Sequence, residues 1–255
     1  MTTRLLAGAS ALTFALLLAA SQANATEVKF ASFSPNGSAP NFTWTSDGTT
    51  GGAMSGTGSS FLNFLTAGNF SQLPATITYS GVTPADPING GAYAFGDQFQ
   101  QAVSGSVSFT FAGPTGTYGG VALTNGENLL TATFTNALMQ GGGSLGVVIS
   151  DIPDLSTTLV YTSSVLTIPA SPTVSEFSIT LGGAAPAISS TADGVSIANF
   201  SAVSTGSFYN DPNPTIPAPL PPGPVPEPAA WAMMLVGFGL VGGLARRRQG
   251  ARAAA

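Results

Sequence analysis

Residues 142–146 read Gly-Gly-Ser-Leu-Gly and satisfy the G-x-S-x-G pattern that presents a nucleophilic serine on a strand-to-helix turn. Overlapping it, Gly141, Gly143 and Gly146 satisfy the G-x-G-x-x-G fingerprint that cradles a dinucleotide pyrophosphate. Neither fits its surroundings. Ser144 would need a base, and the 255-residue chain contains no His. Both motifs require a helix after the turn, whereas Val147–Ile149 is strand-like. Both are read as chance matches in a glycine-rich loop. The chain has no Cys either, which removes disulfides, Cys-ligated zinc, iron–sulfur clusters and thiol nucleophiles. Carboxylates remain, and a glycosidase needs only two. Asp151 and Asp154 are the nearest such pair, in the turn-like Asp-Ile-Pro-Asp. Loop carboxylates also suit calcium, but no D-x-D-x-D-G loop is present. Sugar recognition uses aromatic platforms. For Trp44, Tyr79, Tyr93, Tyr118, Tyr161 and Tyr209 a core or plain surface role is the expected one. The expectation is a protein without catalytic residues, cofactor or metal.

Charge placement narrows the partners. Only 7% of residues are charged, against about a quarter in an ordinary soluble domain. The basic residues are Arg4, Lys29, Arg246, Arg247, Arg248 and Arg252, so all but Lys29 lie at the ends. Residues 26–225 hold ten acids against one base, a net of −9. Such a body repels nucleic acid, whose binding needs several phosphates neutralised. It repels anionic lipid for the same reason.

The two ends read as processing segments. Arg4 precedes an apolar run from Ala11 to Ala20, followed by Ala23-Asn24-Ala25. This is the pattern of a secretory signal (residues 1–25), with Ala23 and Ala25 as the signal peptidase site and cleavage after Ala25. It implies passage through the Sec machinery. The apolar run is too short to cross roughly 30 Å of hydrocarbon. At the other end, residues 211–228 contain nine prolines and are expected to form an extended stalk. The 17 residues Ala229 to Ala245 carry no charge, about 25 Å of helix at 1.5 Å per residue and the short limit for a membrane span. Trp231 stands where an indole favours the interface, and Arg246-Arg247-Arg248 closes the run as a stop-transfer cluster. The positive-inside rule puts tail 246–255 in the cytoplasm and the body outside.

In these residues the chain resembles a known family. Val225-Pro226-Glu227-Pro228-Ala229-Ala230-Trp231-Ala232, the glycine-containing span after it and the Arg cluster resemble a PEP-CTERM sorting signal of the Pro-Glu-Pro-x-x-Trp-Ala type. The resemblance covers about the last 25 residues, with motif, span and basic tail in the right order. It implies recognition of Pro226, Glu227, Pro228, Trp231 and Ala232 by an exosortase, a membrane cysteine peptidase-like enzyme of Gram-negative bacteria that make exopolysaccharide. It further implies a transient inner-membrane intermediate, processing near the Pro-Glu-Pro motif, and release or transfer to the cell surface.

The body that these ends would deliver is residues 26–210, rich in Ser, Thr, Gly and Asn. Val107, Phe109 and Phe111 alternate with Ser106, Ser108 and Thr110; Leu130, Ala132 and Phe134 alternate with Thr131, Thr133 and Thr135; Phe177, Ile179 and Leu181 alternate with Ser178 and Thr180. Period-2 alternation marks strands with one buried face. Val28–Phe33, Phe42–Thr45, Ala75–Ser80, Leu145–Ser150, Thr158–Tyr161, Val165–Ile168 and Val195–Val203 are further candidate strands. Phe61 to Leu65 reads as a short helical turn or a strand. Turn signals such as Asn36-Gly37, Asp47-Gly48, Asn125-Gly126 and Gly141-Gly142-Gly143 separate them. No long helical stripe is present. The expected fold is all-β, an antiparallel β-sandwich with a possible jelly-roll arrangement. The expected role is that of a non-enzymatic exported surface or matrix protein among exopolysaccharide. A polysaccharide- or calcium-binding module is the alternative, and a carboxylate-dependent glycoside hydrolase the third.

Overall fold

The computed structural model describes residues 28–65, 71–84, 93–95, 98–149, 158–170, 174–192 and 196–216. The proposed signal segment, the 229–245 span and the basic tail lie outside them. Among the described residues every regular element is a strand. In chain order these are β1 (Lys29–Pro35), β2 (Phe42–Ser46), β3 (Gly52–Phe64), β4 (Leu73–Val82), β5 (Tyr93–Phe95), β6 (Gln98–Phe111) and β7 (Gly116–Tyr118). They continue with β8 (Val121–Leu123), β9 (Asn128–Gly142), β10 (Leu145–Ile149), β11 (Thr158–Thr162), β12 (Val174–Ala185) and β13 (Phe200–Asp211).

The all-β expectation holds, but the strands form one closed antiparallel barrel rather than two packed sheets. β3 pairs β4, β4 pairs β6, β6 pairs β9, β9 pairs β10, β10 pairs β12 and β12 pairs β13. β13 then pairs β1, and β1 pairs β3, which closes the ring. The result is an up-and-down barrel of eight staves, each next to its sequence neighbour. Alternation fixes which side chains share a face, and both architectures use it equally. Closure follows from the edges. A sheet edge is usually guarded by lysines or proline, and this body has a single lysine. Joining first stave to last removes those edges outright. All eight staves find both neighbours within residues 29–211, so closure of the ring needs no residue beyond them.

Two staves are broken. β1 and β2 run in the same direction between β13 and β3, with residues 36–41 looping between them. Likewise β10 and β11 follow one another along β9, which they pair through Leu138–Gly142 and Thr131–Thr135. The first break explains the glycine-rich start of β3, where strand alternation is invisible in the sequence. A Cβ on Gly56 would sit 2.3 Å from the Asn41 carbonyl oxygen, and one on Gly58 would sit 2.5 Å from Asn41 Cβ. These glycines let the β1–β2 loop press Asn41 into the barrel. Phe61–Phe64 proves to be the end of that same strand, not a helical turn. Val165–Ile168 is not a strand either. It is loop, held by Ser163 Oγ, which accepts from the Val165 and Leu166 N–H groups, and by Thr167, which exchanges both backbone hydrogen bonds with Thr215. The segment expected as strand 195–203 becomes regular only from Phe200.

The barrel is filled, not hollow. Inward residues of β6 and β9 (Val107, Phe109, Phe111, Leu130, Ala132, Phe134) are all buried, as their alternation predicts. Phe33, Phe109 and Phe208 form a triangle with ring centroids 4.9, 5.7 and 6.0 Å apart. Tyr161 meets Phe30 edge-on at 5.2 Å and Phe208 at 6.0 Å. Each buried Phe contributes on the order of 1.5–3 kcal/mol by transfer from water, and each such ring pair about 0.5–1.5 kcal/mol more. A polar cluster crosses this core. Ser204 donates to Asn41 Oδ1 from its backbone N–H and from its hydroxyl, each at 2.9 Å. With that proton committed, the Tyr79 hydroxyl donates to Ser204 Oγ at 2.6 Å. Trp44 is likewise fully buried, its indole N–H bonded to the Ile197 carbonyl at 3.1 Å.

Candidate functional site

The glycine-rich motif is the β9–β10 hairpin. Gly142 and Leu145 are paired, and Gly143 carries the turn with φ +62°. Ser144 stands exposed at its tip, and the next element is strand β10, with Gly141 opposite Gly146. A strand–turn–strand holds no nucleophile elbow and no dinucleotide cradle.

Two of the described carboxylates, Asp47 and Glu127, are used by turns. Asp47 Oδ1 accepts from the backbone N–H and hydroxyl of Thr49 (2.7 and 2.8 Å) and from Gly51 N–H (3.3 Å). The Thr49 hydroxyl first, then its N–H, hold the Asp47 carboxyl below its ordinary range. Glu127 Oε2 accepts from the Thr124 N–H and hydroxyl at 3.0 and 3.2 Å. Asp151 and Asp154 lie outside the described residues. Among the described residues no three of Asp, Glu, His or Cys gather as a metal site.

Aromatic placement follows burial. Trp44, Tyr79 and Tyr161 are core residues. Burial pushes the Tyr79 and Tyr161 phenols far above their ordinary range; at Tyr161 the Glu176 charge adds to the shift. The Tyr161 hydroxyl donates to the Glu176 carbonyl. Tyr118 is half-buried and edge-on to Phe111 at 5.0 Å. Tyr209 is different: it stands half-buried on the outer face of β13, between buried Phe208 and Asn210.

That outer face carries a groove of about 300 Å³ across β1, β13 and β12. Strand register builds it in rows. Lys29 is opposite Tyr209. Ser32 is opposite Ser207, and Ser207 opposite Ser178. Thr205 is opposite Thr180. Neighbouring strands lie about 4.8 Å apart, so each row is a close-set line of polar groups. Ser32, Ser178 and Ser207 are half-buried; Thr180 and Thr205 are exposed. Among the described residues no protein group hydrogen-bonds to these five hydroxyls. The lone cation of the body lines this groove. Sequence reading passed over it because the row joins residues about 180 positions apart. The only signal was a single lysine opening a strand in an otherwise acidic body.

The chain leaves the barrel at the end where β1 begins. Asn210 is buried there; its Oδ1 accepts from the Ser175 hydroxyl at 2.6 Å, and its Nδ2–H donates to the Pro212 carbonyl at 2.7 Å. Together with the Thr167–Thr215 pair, these bonds hold the first residues of the proline-rich segment to the barrel. The sorting residues Pro226, Glu227, Pro228, Trp231 and Ala232, the cluster Arg246–Arg248, and Ala23 and Ala25 lie outside the described residues.

No curated protein and no solved structure matches the chain. A protein-family model does match its end, over residues 224–249. The matched stretch contains every residue of the Pro-Glu-Pro-x-x-Trp-Ala signature and the Arg cluster. Following a closed β-barrel in sequence, the chain carries a PEP-CTERM protein-sorting motif.

Proposed function

We propose that this chain is a non-enzymatic exported protein of the cell surface or extracellular matrix. An exosortase sorts and processes it, and the barrel serves among exopolysaccharide. The observation that carries the reading is the sorting motif at residues 224–249. Composition supports it, since a chain without His or Cys lacks the usual catalytic groups. The barrel supports it too: its staves end at Asp211 and the bonds from the following residues to the barrel end at Thr215, so a cut near Pro226–Pro228 removes none of them. The route runs from Sec and signal peptidase, through a membrane-held intermediate with the Arg cluster cytoplasmic, to the surface of a Gram-negative cell.

The test is replacement of Pro226 and Pro228 by Ala, beside deletion of the exosortase. Fractionation and intact mass of the product are the readouts. In both cases precursor retaining its C-terminal tail is expected to accumulate in the membrane fraction. Unchanged processing and unchanged surface location overturn the reading.

A further inference from the structure

We infer that the groove on the outer face of β1, β13 and β12 is a binding site for a neutral polysaccharide segment, with Tyr209 as platform and Lys29 at its side. The proposal rests on the reading of the protein as a matrix component and locates where matrix is held.

Three observations carry it. The first is chemical fit. A sugar ring presents an apolar C–H face and an equatorial set of hydroxyls. Tyr209 offers an apolar ring with a polar tip at the surface. Beside it, Ser32, Ser207 and Ser178 form one line across three strands. Each hydroxyl supplies one donor and two acceptor sites, so the line matches a sugar hydroxyl whichever way its proton points. None of these hydroxyls is engaged by protein among the described residues.

The second is shape and stiffness. The groove, about 300 Å³, is at the lower end of ligand-site volumes. Its residues sit on paired strands, not loops. Phe33 packs beneath, where a Cβ on Gly206 would come within 2.5 Å of its ring. A surface held this way loses little entropy when a ligand binds.

The third is charge, which separates neutral from acidic glycan. The body carries a net of −9, and its field disfavours a polyanion. In the groove Lys29 lies opposite Tyr209 and sets a single cation beside the ring position. One ammonium offers donors to sugar hydroxyls but is outweighed by the acidic body, so it does not select for a polyanion.

The test uses the barrel alone, residues 26–217, labelled for amide NMR. The probe is partial hydrolysate of the extracellular polysaccharide of the cell that makes the protein, split by ion exchange into neutral and acidic fractions. The neutral fraction is expected to shift the amides of Ser32, Ser178, Ser207 and Tyr209 saturably, with little dependence on salt. Tyr209→Ala is expected to weaken binding about tenfold or more, and Lys29→Gln and Ser207→Val several-fold. Ser207→Val keeps a strand-favouring residue and serves should Tyr209→Ala not fold. The proposal is overturned by any of three results: no saturable shift with the neutral fraction, shifts that map elsewhere, or folded variants that bind like the parent. Salt-sensitive binding of the acidic fraction alone also overturns it. Export and tail removal of Lys29→Gln in cells are expected to be normal. Failure of processing in the parent would refute the sorting reading whatever the titration shows.

Discussion

Raising the pH from 9 to 11 should destabilise the barrel through two particular side chains. Tyr79 and Tyr161 are buried, at 2% and 5% exposure, and burial lifts both phenols well above their ordinary value. In the unfolded chain a tyrosine titrates near 10. An acid whose folded pKa is raised contributes stability that is fully present below the unfolded value. That stability is lost as pH climbs from there toward the folded value. At pH 11 each phenol that stays protonated in the native state but ionises in the unfolded one removes about 1.4 kcal/mol. The pair removes about 2.8 kcal/mol, against a total of about 5–15 kcal/mol for a typical fold. With an m-value of about 2 kcal/mol/M, the urea midpoint should fall by roughly 1.4 M. The assay is urea unfolding of the barrel at both pH values, for the parent and for Tyr79→Phe/Tyr161→Phe. The double variant starts lower by about 1–3 kcal/mol for two lost hydrogen bonds. General charge repulsion at high pH acts on both proteins and cancels. If the double variant loses as much stability between pH 9 and 11 as the parent, the buried-phenol reasoning is wrong.

Two further predictions concern single sites. Gln101 is fully buried on β6 opposite Met139, and among the described residues neither amide atom finds a hydrogen-bond partner. Gln101→Met keeps length and removes two desolvated polar atoms, so it is expected to stabilise the barrel by about 1–3 kcal/mol; a lower urea midpoint would count against this. Gly56 combines φ +144° with a Cβ position 2.3 Å from the Asn41 carbonyl oxygen. Gly56→Ala is expected to destabilise by on the order of 2–3 kcal/mol in the same assay. An unchanged midpoint would mean that the β1–β2 loop moves aside freely.

Legibility differed from residue to residue for physical reasons. β6 was plain, because Val107, Phe109 and Phe111 face inward and three hydroxyl residues face outward. The first half of β3 was hidden. Its inward places are held by Gly56, Gly58 and buried Ser60, chosen for the space that Asn41 needs rather than for hydrophobicity. Val165–Ile168 looked like a strand and is loop, since β-branched content says nothing about whether a partner edge is available. The sandwich expectation failed in the same way.

Local composition alone settled the class of the body, the lack of imidazole and thiol chemistry, and the tail. The tail is read as linear sequence, so its motif is complete in the residues themselves. Tertiary structure decided what depends on distant pairing. It turned first and last staves into neighbours, and it made a hairpin of the Gly142–Gly146 motif. It also set Lys29 beside Tyr209 in one row of an outer groove. Period-2 alternation assigns a face to each residue but no partner. Partners are chosen by the closure that leaves the fewest backbone groups on an open edge.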